Sequence, residues 1–211
     1  MKSINKSFTH SIKSYMAVSI LGIFVGIITR LTDIFPNDDI WGFSSIATLF
    51  GFWIITTTLI IYKSSSNINS AINTFLYLFF MSVAFYSAQP ILGIYFSEFQ
   101  NDFQTHAFII YSTGSLIAGM AGFFLYYWNK DNLFSNILYA LPIGVLVAEF
   151  VGLVFWFSEN STWLFQLIMN FIGAIILGAL FYRKANNKMI YIVSLIFTTM
   201  IAYLGYYRLM I

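Results

Sequence analysis

Glu149, in the run VAEFVG, is the one acid set well inside an apolar stretch of this chain. An ionised carboxylate there costs at least ~2.5 kcal/mol on insertion scales, so it is expected to face other helices and not lipid. Two roles suit it: handling a proton or a cation, or serving as a structural acid satisfied by neighbouring hydroxyls. Three amides accompany it. Gln166 and Asn170 stand one helical turn apart, and Gln89 directly precedes Pro90. Amides at such positions either line a polar cavity or join helices together.

Arg30 is the fifth candidate. It lies in GIITRLTDIFPNDDIW, residues 26–41, which also carries Asp33, Asp38 and Asp39. Only 9% of the chain is charged, against roughly 25% in soluble domains, so this concentration asks for a reason. Arg30 is the natural partner for Glu149, with Asp33 competing for it; the first requires the first and fifth spans to meet. The aspartates offer oxygens to a hard cation, but the loop lacks the glycine turn and ligand alternation of a calcium site. Pro36-Asn37 is expected to make the turn, with Asp38 or Asp39 capping the second helix.

Enzymatic readings are weaker. GFSS, residues 42–45, matches the G-x-S-x pattern of rhomboid intramembrane proteases, and His106 opens a later span at similar depth. A serine activated by a histidine is chemically sensible, yet so short a motif recurs by chance, and His106 sits in the polar loop SEFQNDFQTH, residues 97–106. His10 and His106 are the only histidines, and there is no H-E-x-x-H, no glycine-rich phosphate loop and no cysteine. Multi-histidine metal sites, nucleotide loops, disulfides and thiolate chemistry are thereby set aside. No catalytic residue, metal or cofactor is assigned.

The elements that must position these groups are membrane helices. The chain has 211 residues, is 59% apolar and 20% aromatic, and has a mean hydropathy of +0.80. So much hydrocarbon cannot face water, so the expected solvent is the lipid bilayer. Apolar runs between polar breaks predict seven spans, at about 14–34, 41–62, 71–96, 107–128, 133–157, 163–182 and 189–208, each long enough to cross as a helix. The whole of 1–211 reads as a single all-α transmembrane domain. Residues 1–13, with Ile4, Phe8 and Ile12 spaced between lysines, suit an interfacial helix or a frayed tail. The first apolar run ends at Thr29-Arg30 without a small-x-small cleavage site, which favours a retained span over a secretory signal.

Orientation follows from the basic residues. With the N-terminus inside, Lys2, Lys6, Lys13, Lys63, Lys130, Arg183, Lys184 and Lys188 fall on the inner side, and only Arg30 and Arg208 on the outer. Asp33, Asp38, Asp39, Glu98, Asp102 and Glu159 fall outside and Asp131 inside. The expected bundle therefore has seven helices, N-terminus inside and C-terminus outside. Trp41, Trp128, Trp156 and Trp163 sit at span ends, where amphipathic rings belong. A net charge of +2 gives no argument for nucleic acid.

In this frame the polar groups gather in the outer half. Glu149 lies about eight residues below the outer end of its span, Gln166 and Asn170 about three and seven, and Gln89 about seven. Ser44, Ser45 and Thr48 open the second span, and Tyr111, Ser112 and Ser115 the fourth; the inner half offers chiefly Thr56 to Thr58 and Asn73. The asymmetry suggests a cavity opening outward, with Pro90 freeing a backbone carbonyl toward it.

Small residues recur at four-residue spacing: Gly22 and Gly26; Gly114, Ala118 and Gly122; Gly144, Ala148 and Gly152; Ala174 and Gly178. Each set permits close helix approach. The fourth and fifth spans read alike, GSLIAGMAG against GVLVAEFVG, as in an inverted repeat or as two packing grooves acquired independently.

TRLTDIFP followed by WGFSSIATLFGFWI resembles a group of small polytopic membrane proteins of low-GC Gram-positive bacteria with no assigned function. The resemblance extends over most of the chain and implies a multi-pass protein of the bacterial plasma membrane, without implying an activity. The resulting expectation is small-solute binding or transport through an outward-facing polar pocket around Arg30, Gln89, Glu149, Gln166 and Asn170. A small-molecule or ion ligand, and a partner membrane subunit or a second copy of the chain, would then be its partners. The alternative is a sensor, immunity or assembly protein acting through helix-helix contacts.

Overall fold

The computed structural model describes residues 8–36, 38–46, 48–97, 99, 102–130 and 132–207. Lys2, Ile4, Lys6, Asn37, Glu98, Asp131 and Arg208, named above, lie outside them. Seven α-helices occur among the described residues: α1 (Ile12–Leu31), α2 (Phe50–Lys63), α3 (Asn67–Leu92), α4 (Thr105–Leu125), α5 (Leu133–Asn160), α6 (Leu164–Lys184) and α7 (Lys188–Ala202). All but α2 are long and apolar enough to cross a membrane, so the chain reads as a multi-pass membrane protein. Large apolar side chains such as Phe24, Ile117, Ile176 and Phe197 are exposed, as a lipid-facing surface requires.

Local sequence starts several of these helices. Ser11, Ser66, Asn132 and Asn187 each accept a hydrogen bond from the backbone N–H three residues on, capping α1, α3, α5 and α7. Phe8 is not helical: it forms an isolated bridge with Ser64, its N–H donating to the Lys63 carbonyl at 3.1 Å. The interfacial-helix expectation therefore fails from Phe8 onward, and α1 begins at Ile12.

The chain divides into two compact units. The first holds the described residues up to Ile34 together with Leu59–Tyr126, and so contains α1, α3 and α4. There α1 lies directly on α3. A Cβ at Gly22 would stand 2.4 Å from the Tyr77 carbonyl oxygen, and one at Gly26 would stand 2.3 Å from that of Met81, so only glycine permits this approach. Where α3 meets α4, Ser70 donates through its hydroxyl to the Gly122 carbonyl at 2.9 Å. The packed face of α4 is Ser115, Gly119 and Gly122. Gly114 has no atom within 4 Å of a Cβ built on it, so the expected Gly114-Ala118-Gly122 stripe is rotated by about one residue.

The second unit holds Phe35–Thr58 and the chain from Tyr127 onward. Here α5 is central, packed on both α6 and α7. Gly144 of α5 meets Thr198 of α7, with its notional Cβ 2.6 Å from the threonine Cβ. Trp128 is buried, stacking on Tyr139 at 5.8 Å and meeting Phe181 at 5.0 Å. It is a core residue and not a member of an interfacial belt. Because α4 flanks α3 in one unit while α5 is the central helix of the other, the similar glycine patterns of these two helices serve different packing roles.

The boundary between units falls inside α2, after Thr58. That helix has 14 residues, a rise of about 21 Å, short of the roughly 30 Å hydrocarbon core. The predicted second span, 41–62, is thus only partly helical: residues 43–45 form a 3-10 turn and the α-helix starts at Phe50. Neither Asp38 nor Asp39 caps it, because both lie well before its first turn.

Candidate functional site

The start of α2 is set by a residue from another helix. The Glu149 carboxylate accepts the Phe50 backbone N–H through Oε1 at 2.8 Å. Its Oε2 accepts the Asn170 side-chain Nδ2–H, also at 2.8 Å. The acid is 2% exposed and Asn170 is fully buried. A helix N-terminus leaves its first amides unpaired and carries partial positive charge, so a carboxylate there is doubly favoured. Phe50 therefore begins α2 at the level of the middle of α5.

The lead into this helix is irregular, and three of its carbonyls are satisfied by α6. The Ile40 and Trp41 carbonyls accept from Leu164 and Phe165 N–H at 3.0 and 3.1 Å, closing the first turn of α6. One residue on, the Gly42 carbonyl accepts from the Gln166 side-chain Nε2. Gly42 has φ +61°, and a Cβ on it would lie 2.5 Å from the Trp163 ring, so both the conformation and the space demand glycine. Ser161 and Trp163 of the facing turn also adopt left-handed backbone, at φ 53° and 70°. Trp163 stacks on Trp156 at 4.5 Å, and Trp156 Nε1 donates to Thr162 at 3.0 Å. Non-helical backbone survives at membrane depth only when neighbouring protein groups satisfy it, and the Ile40, Trp41 and Gly42 carbonyls and the Phe50 N–H are satisfied in this way.

Gly51 completes the arrangement. A Cβ there would stand 1.8 Å from Asn170 Oδ1 and 2.6 Å from Glu149 Oε2. The amide and carboxylate oxygens therefore converge on the same point of α2, where no methyl group fits. Asn170 Oδ1, Gln166 Oε1 and Ser44 Oγ are buried without a hydrogen-bond partner.

Three of the five expected site residues, Glu149, Gln166 and Asn170, are thus assembled within the second unit. Arg30 and Gln89 belong to the first unit. Arg30 donates to Asp33 at 2.8 Å, and its guanidinium lies over the rings of Phe85 and Phe99, 4.8 and 5.0 Å from their centroids. The competitor Asp33 is its ionic partner, because side chains three residues apart at a helix end are neighbours. Gln89 is fully buried, with neither end of its amide hydrogen-bonded. Pro90 falls in the last turn of α3, which ends at Leu92, so the hydrogen bond it removes is near a helix end and not in mid-span.

His106 is exposed in the first turn of α4. Ser44 Oγ makes no hydrogen bond, so it carries no base of the kind a serine nucleophile uses. Among the described residues no group of three acidic, histidine or cysteine side chains could hold a metal. Gly51, Phe50 and Gly42 are the site residues that sequence reasoning missed. Gly42 and Gly51 both lie within the second predicted span, 41–62, and the only available signal was that glycine is costly inside a helix.

Comparison with curated proteins and with solved structures finds no match. A family model matches residues 5–210, almost the whole chain. The chain belongs to that family, a family of unknown function (DUF6518).

Proposed function

We propose that this protein binds or transports a small polar solute at membrane depth, using Glu149, Gln166 and Asn170. The observation that supports this reading is the interrupted second crossing: α2 starts beside Glu149, opposite the middle of α5. Transporters place polar groups in the bilayer by breaking helices in this manner, because a helix terminus brings unpaired backbone dipoles to a site that continuous helices cannot offer. Gln89, buried with both ends of its amide unpartnered, is a further solute-contact candidate in its own unit. Arg30 pairs with Asp33 and lies over two aromatic rings, while its Nε is buried without a hydrogen-bond partner, so it too stays a contact candidate in its own unit.

In this reading the protein sits in a bacterial plasma membrane with its N-terminus inside and C-terminus outside, as its lysine and arginine distribution indicates. The polar groups then open toward the outside. An ion gradient or a partner subunit supplies any energy needed.

The test is a thermal-unfolding screen of the purified protein in detergent against amino acids, amines, sugars and nucleosides. A solute that raises the unfolding midpoint of the wild type, but not of Asn170→Leu, supports the proposal. If no class does so while the variant retains a cooperative transition, the helix-contact alternative takes its place.

A further inference from the structure

The hydrogen bonds around Glu149 leave a specific remainder. Gln166 must present its NH2 to the Gly42 carbonyl, since that oxygen can only accept. Asn170 must present its NH2 to the carboxylate for the same reason. The ends of both amides that remain are therefore oxygens, Gln166 Oε1 and Asn170 Oδ1, on side chains that are 0% exposed and one turn apart on α6. Ser44, two residues past the Gly42 carbonyl, adds a third buried oxygen without a partner. A buried acceptor without a donor is costly, so several together indicate a donor-rich or cationic occupant.

From this we infer that Glu149, Asn170 and Gln166 form a binding site for a small monovalent metal cation of the sodium class. Hard oxygen ligands select alkali and alkaline-earth ions. One carboxylate balances one positive charge, whereas a divalent ion would leave a net charge buried. Asn170 Oδ1 and Glu149 Oε2 both pack against the same point of Gly51, where not even a methyl group fits, so the two oxygens are close enough together to share one small ion. Glu149 thereby has two duties: closing the N-terminus of α2 and supplying the charge that holds the ion. The ion would then couple the interrupted helix α2 to α5 and α6. This inference deepens the solute-binding proposal and rests on the same groups, but it is measured with no solute present.

The experiment is a titration of the purified protein with sodium chloride, with choline chloride holding ionic strength constant, read by unfolding midpoint and by tryptophan fluorescence. A saturable rise of several degrees with sodium, weakened at least tenfold in apparent affinity by Gln166→Met and abolished by Glu149→Gln, is the expected result. Should Glu149→Gln fail to fold, Gln166→Met and Ser44→Ala carry the comparison, since neither touches the α2 cap. Equal stabilisation by sodium, methylammonium and choline overturns the inference. So does a sodium response unchanged in every folded variant, or stability that responds to pH alone. A positive sodium titration beside a failed solute screen retains the cation site and removes the solute proposal; the converse result removes only the cation.

Discussion

Glu149 of α5 holds the first amide of α2, the Phe50 N–H, at 2.8 Å across 99 residues of sequence. One carboxylate therefore decides where a helix begins inside a membrane segment. Removing it should cost more than removing an ordinary hydrogen-bonding side chain. Glu149→Leu leaves both the Phe50 N–H and the Asn170 amide without an acceptor, an expected loss on the order of 1–3 kcal/mol for each group. Glu149→Gln retains one carbonyl oxygen and should lose clearly less. Unfolding midpoints of the two variants in detergent check the order; a midpoint for Glu149→Leu equal to that of Glu149→Gln would remove the cap from the account.

Gly51→Ala offers a test in which propensity and packing oppose each other. Alanine is favoured over glycine in a helix by about 1 kcal/mol. Here its Cβ would collide with Asn170 Oδ1 and Glu149 Oε2, so the variant is expected to be less stable than the wild type. Combining it with Asn170→Ala should recover part of the loss. A double-mutant cycle with no coupling between positions 51 and 170 would contradict the geometry.

The Arg30–Asp33 pair is partly buried, with side-chain exposures of 11% and 23%. Asp33→Asn leaves the guanidinium charged without its counter-ion, an expected loss of about 1–3 kcal/mol after allowance for residual solvent. The double variant Arg30→Met with Asp33→Asn removes both charges and should be more stable than Asp33→Asn alone. Chemical-denaturant curves on the wild type, Arg30→Met, Asp33→Asn and the double variant decide it; a double variant that loses the sum of both single losses would argue against pairing.

Orientation can be read by chemical labelling, because the chain has no cysteine. A cysteine at Glu159, in the last turn of α5, should react with an impermeant maleimide from outside intact cells. One at Lys184, at the other end of α6, should react only after permeabilisation. The reverse pattern would invert the proposed topology while leaving the described helices unchanged.

Much of the helical framework was legible because its causes are local. An apolar run of about 20 residues must satisfy its amides within itself, so α1 and α3 to α7 follow from hydropathy. The caps at Ser11, Ser66, Asn132 and Asn187 act over three residues. The ion pair Arg30–Asp33 also acts over three residues, which is why the nearer partner prevailed over Glu149. Glu149, Gln166 and Asn170 were readable as a group because polar side chains are conspicuous in so apolar a chain.

What the sequence could not carry is decided by groups far apart in it. WGFSSIATL is as apolar as the helix it precedes, so hydropathy merges the irregular lead with α2. The meeting of Gln166 with Gly42, of Glu149 with Phe50, and of the Trp41 carbonyl with the start of α6 makes non-helical backbone tolerable there. Likewise spacing shows that glycines share a helix face, but not which of them meets a neighbour: Gly26 touches the Met81 carbonyl while Gly114 touches nothing. Sequence by itself determines where this chain needs lipid, since that follows from composition along the strand. Where its buried polar groups find their partners follows from packing, and only the tertiary structure decides it.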